Sequence, residues 1–217
     1  MQKYLDTLNE NDFEVFKEIE SLREKIILED TSIEVIDYGA GNPDENRTEK
    51  QMHSGVTKSI STKSLCKIGL KNNFAHLIYA IVKKHQPATV LELGTCCGFS
   101  SIEGSPQTAQ IAQRNFKEIG AQNIKSYVGR FSDKLPNILP KITPIEFAFI
   151  DGHHDRDATL EYFENIKPYL TKDALVLFDD ISWSNGMIEA WDIIKKDNSI
   201  HTYEDYVKVG LCFMGDK

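Results

Sequence analysis

Two strand-like stretches of this chain end in an acid followed by closely spaced glycines, VIDYGAGNP at 35–43 and VLELGTCCG at 90–98. A glycine turn at the carboxyl end of a strand lets the backbone approach a ligand closely, while the acid accepts hydrogen bonds from the ligand's hydroxyl or amino groups. Two more apolar runs also end in acids: EFAFID at 146–151, closed by Asp151, and ALVLFDD at 174–180, closed by Asp179 and Asp180. Buried parallel strands with ligand groups at their carboxyl ends have this pattern.

Those residues need elements to hold them. Helical segments at 107–120 and 158–170 separate the runs, with a shorter strand at 123–129, a helix over 187–196 and two antiparallel strands between 200 and 214. Alternating strands and helices predict an open α/β sheet. Ahead of it, Phe13, Phe16, Ile19, Leu22 and Ile26 recur at helical intervals, and Phe74, Leu77, Ile78, Ile81 and Val82 form one face of a helix that starts near Asn72. Residues 40–67 are polar and without sustained apolar period, which reads as a loop, a lid or a disordered linker. The division expected is 1–71, an N-terminal helix and polar lid segment, and 72–217, the sheet domain.

At 217 residues and 41% hydrophobic the chain can build one substantial core. A formal net charge of −8 opposes a nucleic-acid partner, because Lys and Arg supply most of the affinity for phosphate. No apolar stretch approaches the ~20 residues that cross a bilayer, and the start lacks the basic-then-apolar order of a signal peptide. The expectation is a cytoplasmic protein that acts on a small molecule without membrane contact, and a homodimer is a possible assembly. Cys66, Cys96, Cys97 and Cys212 have no CxxC spacing, so neither a disulfide framework nor a zinc site is suggested.

Of the two glycine turns, the second is the better cofactor loop. A helix precedes VLELGTCCG and the acid-ended strands follow it, whereas Pro43 and a polar stretch follow VIDYGAGNP.

The pieces VLELGTCCGFSS, SIEGSPQTAQIAQRNF, FIDGHHDRDATLEYF and ALVLFDDISWSNGM, in this order, resemble the class I S-adenosylmethionine-dependent methyltransferases, particularly the small-molecule O-methyltransferases related to catechol O-methyltransferase. The resemblance covers roughly residues 75–214. It implies a Rossmann-like α/β methyltransferase fold with a mostly parallel sheet, an antiparallel last strand and an N-terminal helical cap. It also implies S-adenosyl-L-methionine as cofactor and O-methylation of a small hydroxylated acceptor. Glu92, Gly94 and Gly98 would surround the methionine part of the cofactor, Glu103 would hold the ribose, Arg130 and Phe131 would contact adenine, and Asp151 would complete the cofactor site. Asp151, Asp179 and Asp180 resemble the family's divalent-metal triad, whose usual third ligand is Asn, so Mg²⁺ is an optional second cofactor. His154 stands where catechol enzymes carry a lysine and would act as the base, with Asp151 beside it, while a loop-ordering histidine is its rival role. Trp183 would wall the acceptor pocket or simply pack in the core.

A non-catalytic S-adenosylmethionine- or S-adenosylhomocysteine-binding protein and a dinucleotide-dependent oxidoreductase are the alternatives. The missing G-x-G-x-x-G spacing weighs against the second.

One discrepancy remains. Only four residues separate Gly98 from Glu103, too few for the helix and strand of an ordinary unit, which call for ~15 to 20 more. The retained strand-end acid and following helix favour an omitted stretch over a genuine deletion.

Overall fold

The structure is a computed structural model that describes residues 1–42, 44–69, 72–94, 96 and 102–216. The chain begins with α1 (Gln2–Leu5) and α2 (Glu10–Glu29). Asn9 caps α2 in a reciprocal box with Asp12, which satisfies the helix's first free N–H groups. Next come β1 (Ser32–Asp37), α3 (Glu49–Ser54), β2 (Val56–Ser61) and α4 (Thr62–Ile68). β1 and β2 pair antiparallel from Ser32↔Ser61 to Asp37↔Val56. The stretch expected to be loop, lid or linker is therefore largely structured. Its one strand, VTKSIS, is polar because the hairpin is partly solvated, so no apolar period marks it.

The main body contains α5 (Asn72–His85), β3 (Val90–Leu93), β4 (Ile102–Glu103), α6 (Pro106–Glu118), β5 (Tyr127–Val128), α7 (Phe131–Ile142), β6 (Ile145–Ile150), α8 (Arg156–Ile166), β7 (Leu170–Phe178), α9 (Asn185–Ile194), β8 (Ile200–Asp205) and β9 (Gly210–Met214). The sheet order is β5-β4-β3-β6-β7-β9-β8, and β9 runs antiparallel to both of its neighbours. This is the mostly parallel sheet with an antiparallel last strand that the sequence predicts. Sequence reading passes over α7, whose Pro136 and Pro140 oppose a helix. Its buried face of Leu135, Ile138 and Leu139 offsets the lost N–H groups.

Side chains alternate across the central strands. Phe147, Phe149, Leu175 and Leu177 pack with Leu77, Ala80 and Ile81 of α5, while Ala148, Ile150, Val176 and Phe178 face α7, α8 and α9. Each fully buried Leu, Ile or Phe stabilises the fold by about 1.5–3 kcal/mol.

The crossover from β3 to β4 is abnormally short. Leu93 pairs directly with Ile102 in parallel, so only the eight residues 94–101 connect neighbouring parallel strands, a link that ordinarily takes a dozen or more and includes a helix. Right-handed connection would put that helix on the α5 and α6 face. There α2 spans both: Phe16 stacks on His76 of α5 with ring centroids 4.0 Å apart, Asp12 bonds Tyr79 and Lys83, and farther along Lys25 and Glu29 pair with Glu118 and Arg114 of α6. The N-terminal helix thus bridges α5 and α6 on the side where such a helix would lie.

Candidate active site

β3, β6 and β7 lie side by side and parallel, so their carboxyl ends carry Glu92, Asp151, Asp179 and Asp180 into one region. β3 turns at Gly94, whose φ of +100° suits only glycine, and a Cβ there would lie 1.7 Å from the Asp151 carbonyl oxygen. The second glycine turn is thus locked against the end of β6. Gly98 lies outside the described residues. Glu103, at the end of β4, accepts hydrogen bonds from Cys96 N at 3.0 Å and Ser105 N at 2.8 Å. A carboxylate at a strand end can accept hydrogen bonds from paired hydroxyls such as those of a ribose. Those residues fit the adenosine end of the expected cofactor.

The first glycine turn belongs to the same region. Ala40 N donates to His153 O at 2.7 Å, and a Cβ on Gly39 would stand 3.2 Å from that oxygen. Tyr38 packs its ring onto Gly104, immediately after Glu103. Arg47 ties the segment together through Asp37 at 3.0 Å and Gly39 O at 2.9 Å. Sequence reading does not find Tyr38, since an aromatic after a strand carries no signal of what the strand will face.

Arg130 and Phe131 stand after β5, but both are engaged. Arg130 makes a two-pronged pair with Asp133 and donates to His53 O at 2.9 Å, while the Phe131 ring lies on Gly152 and meets Tyr162 edge-on. Their arrangement joins α7 to the N-terminal segment and to the loop after β6. Trp183 is 40% exposed, so it is not the buried core residue of its rival reading.

His153 and His154 have different surroundings. His153 shares a 2.7 Å hydrogen bond with Tyr162, and burial pushes its pKa down. His154 brings Nε2 to 3.7 Å from Asp151 and 3.8 Å from Asp180. Both histidines and Asp180 have positive φ (72°, 48° and 52°), the left-handed conformation that costs a non-glycine residue about 1–2 kcal/mol and is held only when its surroundings enforce it.

Lys208 completes the cluster. Antiparallel pairing sets Phe178 opposite Gly210, and Ile181 N donates to Lys208 O at 3.0 Å, so the loop between β8 and β9 returns to the end of β7. Its Nζ lies 3.3 Å from both Asp179 and Asp180. Burial alone would lower the ammonium's pKa, but Asp179 and Asp180 outweigh it and raise the value. Burial, then the charges of Asp179, Glu92 and Asp180, hold the Asp151 carboxyl well above the usual carboxylate range. Asp179 is raised by burial and by Asp180.

These donors do not fit a divalent ion as they stand. Asp179 Oδ1 is buried without a hydrogen-bond partner, an atom that a cation could satisfy. Yet among the described residues no group of three His, Cys, Asp or Glu side chains is set to hold a metal, and Lys208 already bridges two of the three carboxylates.

A cleft of about 460 Å³ opens beside this cluster, lined by Ile68, Gly69, Asn72, Asn73, Phe74 and Lys208 among others. A Cβ on Gly69 would come 3.9 Å from Cys96 Sγ, so one wall of the cleft lies next to the second glycine turn.

Known proteins share this fold and part of this sequence. Residues 99–181 match the family described as a methyltransferase domain. A catechol O-methyltransferase of Niastella koreensis is 24% identical over 143 residues, covering 58% of this chain, which in turn spans 64% of that relative's length. Two solved structures share the fold. The O-methyltransferase TomG of Streptomyces achromogenes, in complex with S-adenosylmethionine, has a TM-score of 0.60 at 18% identity over 68% of this chain and 82% of its own. An O-methyltransferase of Bacillus cereus, in complex with S-adenosylhomocysteine, has 0.57 at 17% over 67% and 82%. Among the described residues no helix is long and apolar enough to cross a membrane. In its matched segment and its fold, the chain is thus similar to the S-adenosylmethionine-dependent O-methyltransferases.

Proposed function

We propose that the protein transfers a methyl group from S-adenosylmethionine to an oxygen of a small hydroxylated acceptor in the cytoplasm. The observation that carries this reading is the convergence of Glu103, Gly94, Asp151 and His154 at neighbouring strand ends, beside a cleft lined by Gly69, Phe74 and Lys208. Bound S-adenosylmethionine supplies an electrophilic sulfonium methyl group. Glu103 accepts the ribose hydroxyls, Gly94 lets the turn close on the methionine part together with Glu92 and Gly98, and Tyr38, Arg130 and Phe131 border the adenine side.

An acceptor in the cleft places its hydroxyl near His154, which takes the proton as the oxygen gains the methyl group. The neighbouring Asp151 and Asp180 stabilise the resulting imidazolium. In-line placement of the two reactants supplies most of the acceleration, since the sulfonium is already reactive. Phe74 supplies an apolar wall to the cleft.

The test is calorimetric titration with S-adenosylhomocysteine followed by labelled-methyl transfer to phenols, catechols and aliphatic alcohols. Binding with transfer supports the reading. Binding without transfer to any acceptor favours the non-catalytic alternative, which the short β3–β4 crossover keeps in view.

A further inference from the structure

We infer that Lys208 holds the place of a divalent cation, so that this site positions a phenolic acceptor through an ammonium group and works without metal. The inference rests on the methyl-transfer reading above.

Three carboxylates at two adjacent strand ends need positive charge. Lys208 supplies it in a fixed position, because Ile181 N holds its carbonyl and its Nζ stands 3.3 Å from Asp179 Oδ2 and 3.3 Å from Asp180 Oδ1. His154 approaches the same group from the other side, 3.7 Å from Asp151 and 3.8 Å from Asp180. A cation seated on two of the three carboxylates weakens the attraction that would draw in Mg²⁺, occupies the oxygens that would ligate it, and repels a second cation beside it.

Position suits the ammonium to an acceptor. Lys208 lines the cleft together with Phe74, whose ring centroid is 5.9 Å from Nζ. An ammonium has three N–H donors, and two are used on the carboxylates, which leaves one for an acceptor oxygen. One N–H lowers the pKa of a hydroxyl far less than a coordinated divalent ion does. The acceptor must therefore bring an acidic hydroxyl of its own, as a phenol does and an aliphatic alcohol does not, and the Phe74 wall favours a ring.

A single N–H also holds one oxygen, whereas a metal chelates both oxygens of a catechol. Monophenols should accordingly be methylated with kcat/KM comparable to that of catechols.

Mn²⁺ binding followed by electron paramagnetic resonance, with and without S-adenosylhomocysteine, tests the assignment directly. Wild type and Lys208→Arg are expected to leave the free Mn²⁺ signal unchanged, and Lys208→Gln to take up Mn²⁺ stoichiometrically. Uptake by wild type or by Lys208→Arg would overturn the inference, as would a folded Lys208→Gln that takes up none. Should Lys208→Gln fail to fold, transfer by the wild type decides: EDTA-insensitive turnover of monophenols supports the inference, while a strong catechol preference abolished by EDTA refutes it. Failure to bind S-adenosylhomocysteine or to methylate any acceptor would strike at methyl transfer itself, and the Mn²⁺ result would still be readable.

Discussion

The carbonyl oxygen of Asp151 occupies the space where a side chain on Gly94 would begin, 1.7 Å from the position of its Cβ. The turn after β3 and the end of β6 are thus fitted to each other through backbone. Gly94→Ala is expected to destabilise the protein by about 3 kcal/mol or more, combining overpacking with left-handed strain. Gly120→Ala, also at positive φ but with nothing within 4 Å, should cost only about 1–2 kcal/mol. Urea denaturation of the two variants separates these outcomes. Gly39, in the first turn, is no neutral control, since a Cβ there would stand 3.2 Å from His153 O.

The two histidines should separate in kinetics. His154→Ala is expected to lower kcat by roughly 10²–10⁴-fold with S-adenosylhomocysteine affinity retained, as for loss of a general base. His153→Ala breaks the 2.7 Å bond to Tyr162 and should reduce thermal stability more than turnover. Equal kinetic losses in both would count against His154 as the base.

Asp151 predicts a pH effect of definite sign. Its folded-state pKa is raised by burial and by Asp179, Glu92 and Asp180, with Cys96 adding to the effect and His154 facing it. Stability from such a group is fully present below its unfolded value, about pH 4, and is lost as pH rises through the folded value. Asp151→Asn cannot ionise, so it should melt above wild type at neutral pH, with the difference shrinking towards pH 4. A variant that melts lower at neutral pH would contradict this.

Docking of α2 carries the opposite sign. The Asp12 carboxyl is held below the usual range, first by Lys83 and then by the Asn9 N–H. Its contribution is present above about pH 4 and is lost as pH falls through the folded value. Asp12→Ala should therefore melt below wild type at pH 7 and converge with it in acid. Phe16→Ala, which removes the stack on His76, should cost about 3 kcal/mol at either pH.

The eight-residue crossover makes a plain chemical prediction. If the crossover is genuinely short, trypsin cutting after Lys84 and Arg114 releases residues 85–114 as one peptide of the mass that their sequence gives. A mass ~2 kDa higher, as ~15 to 20 further residues imply, would restore an ordinary crossover.

The sequence by itself determines the layout of the sheet, because buried parallel strands must be short apolar runs and because a strand that ends in an acid carries that acid to the ligand side. Val90–Leu93, Ile145–Ile150 and the carboxylates Glu92, Asp151, Asp179 and Asp180 were legible for that reason. It also determines α2 and α5, whose apolar faces repeat at helical intervals. The polar hairpin of β1 and β2 was not legible, since a strand that buries little shows little alternation. Nor was α7, where two prolines speak locally against a helix that burial of Leu135, Ile138 and Leu139 makes stable. Only the tertiary structure decided that Lys208 meets Asp179 and Asp180 and that Tyr38 meets Gly104. Each pair is far apart in the chain, and no local propensity records which loop an antiparallel register will bring to a strand's end.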